Sequence, residues 1–107
     1  MSQVAIKVKG DDGLPKEMII EAEVVGPFAI HESKNWMHCW TLTHIASGFA
    51  VETRGDDATA CRTGAAMLQE LPVDWDFIDP ETVLAWDNET TDQIHTIRLG
   101  MRLGDLA

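Results

Sequence analysis

The dominant hydrophobic period of this chain shifts near residue 55, and that shift limits the folds open to it. Before it, apolar residues alternate with polar ones, as where Val4, Ile6 and Val8 alternate with Lys7 and Lys9. Alternation of that kind is the signal of a half-buried strand. After it, apolar residues recur three and four apart, the spacing of a helix with one buried stripe. Strands that all precede the helices leave no room for a strand–helix–strand crossover, so the chain reads as α+β.

The strand half divides at its turn residues. Gly10-Asp11-Asp12-Gly13 supplies one turn, residues 18–25 resume with β-branched side chains, and Gly26-Pro27 breaks that run. Residues 28–31 form a short strand and 32–35 a polar turn. Residues 36–45 are the longest strand candidate. Ala46-Ser47-Gly48 then makes a tight hairpin loop, with Gly48 where a left-handed residue is wanted, and residues 49–53 close the hairpin.

In the helical half, Asp56 or Asp57 can cap a helix reaching about Leu71. Ala58, Cys61, Ala65 and Leu68 lie on one stripe, widened by Gly64, Met67 and Leu71, and Pro72 forces the stop. The small residues Gly64 and Ala65 are expected to let this helix approach the sheet closely. Residues 73–78 look extended, with Val73, Trp75 and Phe77 on one side and Asp74 and Asp76 on the other. Asp79-Pro80 is an N-cap with proline at the first helical position, opening a short helix to Trp86. Thr90-Thr91-Asp92-Gln93 resembles a capping box. Residues 94–103 are read as helix on that box and on the spacing of Ile94, Ile97 and Met101. The alternation of Ile97, Leu99, Met101 and Leu103, and the glycines at 100 and 104, would suit a strand. The expected architecture is therefore an antiparallel sheet of four to five strands, a meander, followed by two to three helices packed on one face. It forms a single domain over residues 1–107, with strands in 3–53 and the helical part in 57–104.

The charge is uneven. Eighteen acids against eight lysines and arginines give a net charge of −10. Between Arg62 and Arg98 stand eight acids and no cation: Glu70, Asp74, Asp76, Asp79, Glu81, Asp87, Glu89 and Asp92. A folded surface of one sign repels polyanions and attracts basic partners. Self-repulsion of these charges leads us to expect stability that rises with salt. The lysines at 7, 9, 16 and 34 form only a thin basic set, too sparse for a nucleic-acid groove. Cys39 and Cys61 are expected as reduced thiols in a cytoplasmic protein, since neither a secretory leader nor a membrane span is legible.

The hairpin Trp40-Thr41-Leu42-Thr43-His44-Ile45-Ala46-Ser47-Gly48-Phe49-Ala50-Val51 resembles a pattern in small uncharacterised phage and prophage proteins. In those, a W-x-[LV]-T-H segment leads through a small-residue turn and a glycine into a second apolar strand. A helix follows, as at residues 57–71 here, and then a proline and a tryptophan-containing segment, as with Pro72 and Trp75. The resemblance covers residues 28–77. It implies a sheet-plus-helix fold and a mobile-element origin, hence the cytoplasm of a bacterial host, and it supplies no catalytic residues.

Chemistry-bearing clusters are few. His31, His38, Cys39 and His44 gather around the central hairpin, and zinc takes such donors. On one strand, however, His38 and Cys39 point to opposite faces, and His38 and His44 sit about 20 Å apart. One buried, hydrogen-bonded histidine and two exposed ones is the expectation. Cys61 on a stripe of small residues packs as a small hydrophobe rather than serving as a nucleophile. Asp74 and Asp76 would lie about 6.8 Å apart on an extended segment, but their alternation with aromatics marks them as solvent-facing. Phosphate-loop and hydrolase signatures are missing.

The expected function is non-enzymatic, without metal or cofactor. It is that of a phage or mobile-element interaction protein whose eight-acid surface binds and blocks a basic, nucleic-acid-handling host protein, as anti-CRISPR proteins and other acidic nucleic-acid mimics do. No direct nucleic-acid or membrane partner is expected. The alternative is a small self-associating accessory module, a homodimer formed through a sheet edge or through residues 97–103 as a strand.

Overall fold

The computed structural model describes residues 2–9, 14–33, 37–77 and 80–104. Five strands, β1 (Ser2–Lys9), β2 (Pro15–Val25), β3 (Phe28–Glu32), β4 (Trp40–His44) and β5 (Ala50–Gly55), form an antiparallel meander in the order β1-β2-β3-β4-β5. Two helices follow, α1 (Ala58–Gln69) and α2 (Asn88–Leu103), joined by a linker that contains a 3₁₀ turn at Pro80–Ala85. The architecture is the expected α+β sheet with helices on one face.

Register decides which residues share that face. Phe28 pairs with His44, Ile30 with Leu42 and Glu32 with Trp40, so this set points to the helical side. Phe28, Ile30, Leu42 and Val51 pack with Cys61, Ala65 and Leu68 of α1 and with Ile94, Ile97 and Met101 of α2. The other face of the central strands is buried too, through Ala29, His31, Thr41 and Thr43. The far ends of β1 and β2 pair only with each other, from Ser2–Ala22 to Lys9–Pro15, whereas β3 pairs only with residues 23–25 of β2. A two-stranded ribbon therefore extends beyond the central sheet.

Several boundaries differ from the sequence reading. The long strand expected over residues 36–45 is only Trp40–His44. His38 adopts a left-handed φ of 63°, which a strand does not accommodate, and Met37 and His38 form a turn. Trp36 lies outside the described residues, as does the Gly10–Gly13 turn. Residues 73–77, expected to be extended, form neither helix nor strand, and they pair with no strand among the described residues. Pro80–Ala85 is 3₁₀ rather than α-helical, and its expected cap, Asp79, is outside the described residues.

The last segment is helical. Its N-cap is Asp87, whose carboxylate accepts the Thr90 N–H at 2.7 Å, so the helix opens before the expected capping box. Asp87 competes successfully because Asn88 and Glu89 continue helical while Asp87 itself is extended. Gly104 ends α2 in a left-handed conformation at φ 72°, donating its N–H to the Gly100 carbonyl. The alternating Leu99 and Leu103 are simply exposed.

Gly64 has a different neighbour from the one expected. A Cβ there would overlap the Met101 thioether, so at Gly64 the small face of α1 accommodates α2. On the expected stripe, Met67 is exposed and Ala60 is buried instead. Met101 is wholly buried between the helices and the sheet. Met101→Ala should cost about 3 kcal/mol, inside the range for emptying a buried methionine site, and a urea titration measures it.

Candidate interaction surface

The acidic stretch is displayed by the linker and the first half of α2. Glu70, Asp74, Asp76, Glu81, Asp87, Glu89 and Asp92 are all exposed, and Asp79 is outside the described residues. The expected alternation across residues 73–77 holds: Asp74 and Asp76 face solvent, whereas Val73, Trp75 and Phe77 are half-buried. Two of these acids also organise backbone. Asp74 accepts the Asp76 N–H at 2.9 Å. Asp87 caps α2, and the bond from Thr90 holds its carboxyl below the usual aspartate range. The stability that this cap contributes is present above the ordinary aspartate value and is lost as pH falls through the lowered one.

An aromatic cluster supports that surface from behind. Trp75 stands edge-on to Phe28 at 4.9 Å and to Trp86 at 5.4 Å, and Phe77 stacks on His44 at 4.3 Å. Leu84, between Glu81 and Asp87 on the 3₁₀ turn, is 83% exposed and adds an apolar point among the acids.

His44 ties this segment to the sheet. It is fully buried, with Nε2 2.6 Å from the Trp75 carbonyl and Nδ1 2.7 Å from Ser47 Oγ. A carbonyl only accepts, so Nε2 carries the proton and Nδ1 accepts from the serine hydroxyl. Ser47 Oγ in turn accepts the Phe49 N–H at 3.1 Å. Trp75 makes a second tie, its indole N–H donating to the Leu68 carbonyl at 3.2 Å.

Sequence reasoning expected one buried histidine among His31, His38 and His44; there are two. His31 bonds Thr43 Oγ1 at 2.9 Å and the Glu32 carbonyl at 3.0 Å, while His38 is exposed. His31 and His44 occupy opposite faces of the sheet, so they do not meet. Among the described residues no group of three His, Cys, Asp or Glu side chains could hold a metal ion. Burial pushes the Cys61 thiol up to about 12, where it stays protonated at neutral pH.

Glu52 was not foreseen. Its side chain is fully buried, with Arg102 Nη2 3.2 Å from both carboxylate oxygens and Arg98 Nε 3.5 Å from Oε2. Oε1 also accepts the N–H groups of Thr53 and Arg54 at 3.0 Å each. The bulged β4–β5 register explains how it reaches α2: Thr43 pairs with Ala50 and Leu42 with Glu52, leaving Val51 as an extra residue. Two consecutive residues then both turn toward the helices. The legible signal was Arg98 and Arg102, four apart on one helix face. Arg62 of α1 forms a two-pronged pair with Glu23 of β2, with Nη2 2.7 Å from Oε1.

Set beside known proteins, the chain matches no family model, no curated sequence and no solved structure. No helix among the described residues is long and apolar enough to cross a membrane.

Glu52→Ala should cost about 3 kcal/mol, the lower end for breaking a buried ion pair, because both arginines keep more than a third of their side chains in solvent. The denaturant midpoint reports it, and a loss under ~0.5 kcal/mol, the ordinary range for a surface substitution, would contradict the role given to Glu52.

Proposed function

We propose that this is a non-enzymatic interaction protein whose acidic surface, built on residues 70–92, binds and blocks a basic protein that handles nucleic acid. A phage or other mobile element is its proposed source. The observation that supports the reading is the disposition of the arginines. Residues 56–104 contain ten acids and three arginines. All three arginines are engaged with acids of the sheet, Arg62 with Glu23 and Arg98 and Arg102 with Glu52. With these arginines turned toward the sheet, the linker and α2 carry a net negative field, which would steer a basic partner onto them. Leu84 supplies an apolar contact within that field.

The test is a pull-down on the immobilised protein from a bacterial lysate, washed at low and then at high salt. The expected capture is a basic nucleic-acid-processing protein that leaves at high salt. Against that partner, Glu70→Lys, Asp76→Lys and Asp92→Lys together should lower affinity by roughly tenfold or more, because rim charges govern steering and salt dependence. Glu17→Lys with Glu21→Lys, exposed acids of β2, should change it little. Equal effects from both sets would remove the acidic-surface reading.

A second reading, self-association, has one observation in its favour. β1 is an edge strand, and Ile19 on its partner β2 is 69% exposed. The version that needs residues 97–103 as a strand falls, since they belong to α2. Mass that rises with concentration in light scattering would favour pairing through β1.

A further inference from the structure

We infer that His44 is a pH-sensitive latch: when its imidazole takes a second proton, residues 73–77, with Asp74 and Asp76 on their outer side, come away from the sheet. The inference rests on the proposed surface only for its consequence, the display of those two acids; the latch itself is a property of the fold.

The geometry accommodates only the neutral ring. Nε2–H already donates to the Trp75 carbonyl, and Nδ1 already accepts the Ser47 hydroxyl. A proton on Nδ1 turns that acceptor into a donor. Ser47 Oγ would then face two donors, the imidazolium and the Phe49 N–H. Its own hydroxyl proton would need a new acceptor inside a buried site, where Ser47 is 4% exposed.

Nor, among the described residues, does a charge face the ring to hold an imidazolium. From β3 the ring is faced by Phe28, from residues 73–77 by Trp75 and Phe77, and the β4–β5 turn contributes Ser47. The titratable groups on those elements are His31 and Glu32 of β3 and Asp74 and Asp76 of the segment. His31 is on the opposite face, and Glu32, Asp74 and Asp76 are exposed to water. Burial is the main influence on the ring and holds it below its ordinary 6.5, the Trp75 bond opposing more weakly. An unfolded or detached His44 binds the proton near the ordinary value while the buried one does not. The stability of the docked state is thus complete above about pH 6.5 and is lost as pH falls below it.

What would detach is a segment held without a strand ladder among the described residues. Residues 73–77 pair with no strand among the described residues. The described polar ties from this segment to the rest of the fold are the His44–Trp75 and Trp75–Leu68 bonds and the Val73 N–H donated to the Leu71 carbonyl at 2.7 Å. It is otherwise held by apolar contact: Phe77 stacks on His44, Trp75 meets Phe28 and Trp86 edge-on, Phe77 meets Trp86 edge-on, and Trp75 packs against the core. β3 and β4, by contrast, sit inside the sheet.

Hydrogen exchange on the full chain tests this, with the Trp75 indole N–H and the Val73 amide as reporters and the His44 ring followed by NMR. Between about pH 7.5 and about pH 5 the protection factors of both reporters should fall at least ~10-fold, in step with His44 protonation, while β3 and β4 amides keep theirs. Reporters that stay protected after His44 has titrated would overturn the latch. So would loss of protection across the whole chain at the same pH. In His44→Gln the reporters should no longer respond to pH, and an unchanged response there would assign the effect to other groups. Should that variant not fold, the wild-type titration decides alone. The outcome is independent of the partner: opening on protonation, with affinity indifferent to the acids, leaves the latch standing and removes the surface reading.

Discussion

A buried carboxylate joins the two halves of this fold. Glu52 sits in β5, fully out of water, and α2 reaches it with Arg98 and Arg102. Such a group is costly to bury unless every lone pair is occupied. Here two backbone N–H groups and a guanidinium occupy them, with a second guanidinium nearby. The position of α2 follows, because its arginines must lie over β5. Once α2 is there, Met101 fills the space that Gly64 leaves open on α1. The Asp56 N–H then donates to the Met101 carbonyl at 2.9 Å, tying the start of α1 to the end of α2.

The same pairing sets the electrostatics of the surface. The described ion pairs of Arg62, Arg98 and Arg102 run inward, to Glu23 and Glu52. Internal neutralisation of the sheet's carboxylates and concentration of negative field on the linker are thus two results of one arrangement. Self-repulsion follows from it as well, and salt screens it.

The linker is held by side chains in place of a strand ladder. Trp75 and Phe77 form edge-to-face and stacked contacts with Phe28, His44 and Trp86, the geometry that aromatic quadrupoles favour. Backbone groups along such a segment need side-chain or helix-end partners, and His44 and the end of α1 provide them. Hence a single titratable ring has leverage over a segment that a sheet ladder would otherwise have secured.

Much of this was legible in the residues, for local reasons. Alternation placed the strands and helical spacing placed α1; Pro72 marked its end and the pair Asp56-Asp57 its start, where Asp57 is the cap. Ser47-Gly48 marked the hairpin, where Gly48 takes φ 77°. The alternation of Asp74 and Asp76 with Trp75 and Phe77 foretold which would face water. These properties depend on neighbours in the chain, so composition and period determined them. The start of β4, the cap at Asp87 and the burial of Glu52 were not legible. The first turns on one left-handed residue, His38; the second on the helix opening at Asp87, three residues before the expected cap at Thr90. The third depends on a bulge that sends Val51 and Glu52 the same way, against the period of 2. What two histidines can do was likewise decided in three dimensions, since strand register put His31 and His44 on opposite faces. Periodicity specifies which side of an element is apolar; register, bulges and the reach of α2 specify what each polar side chain meets there.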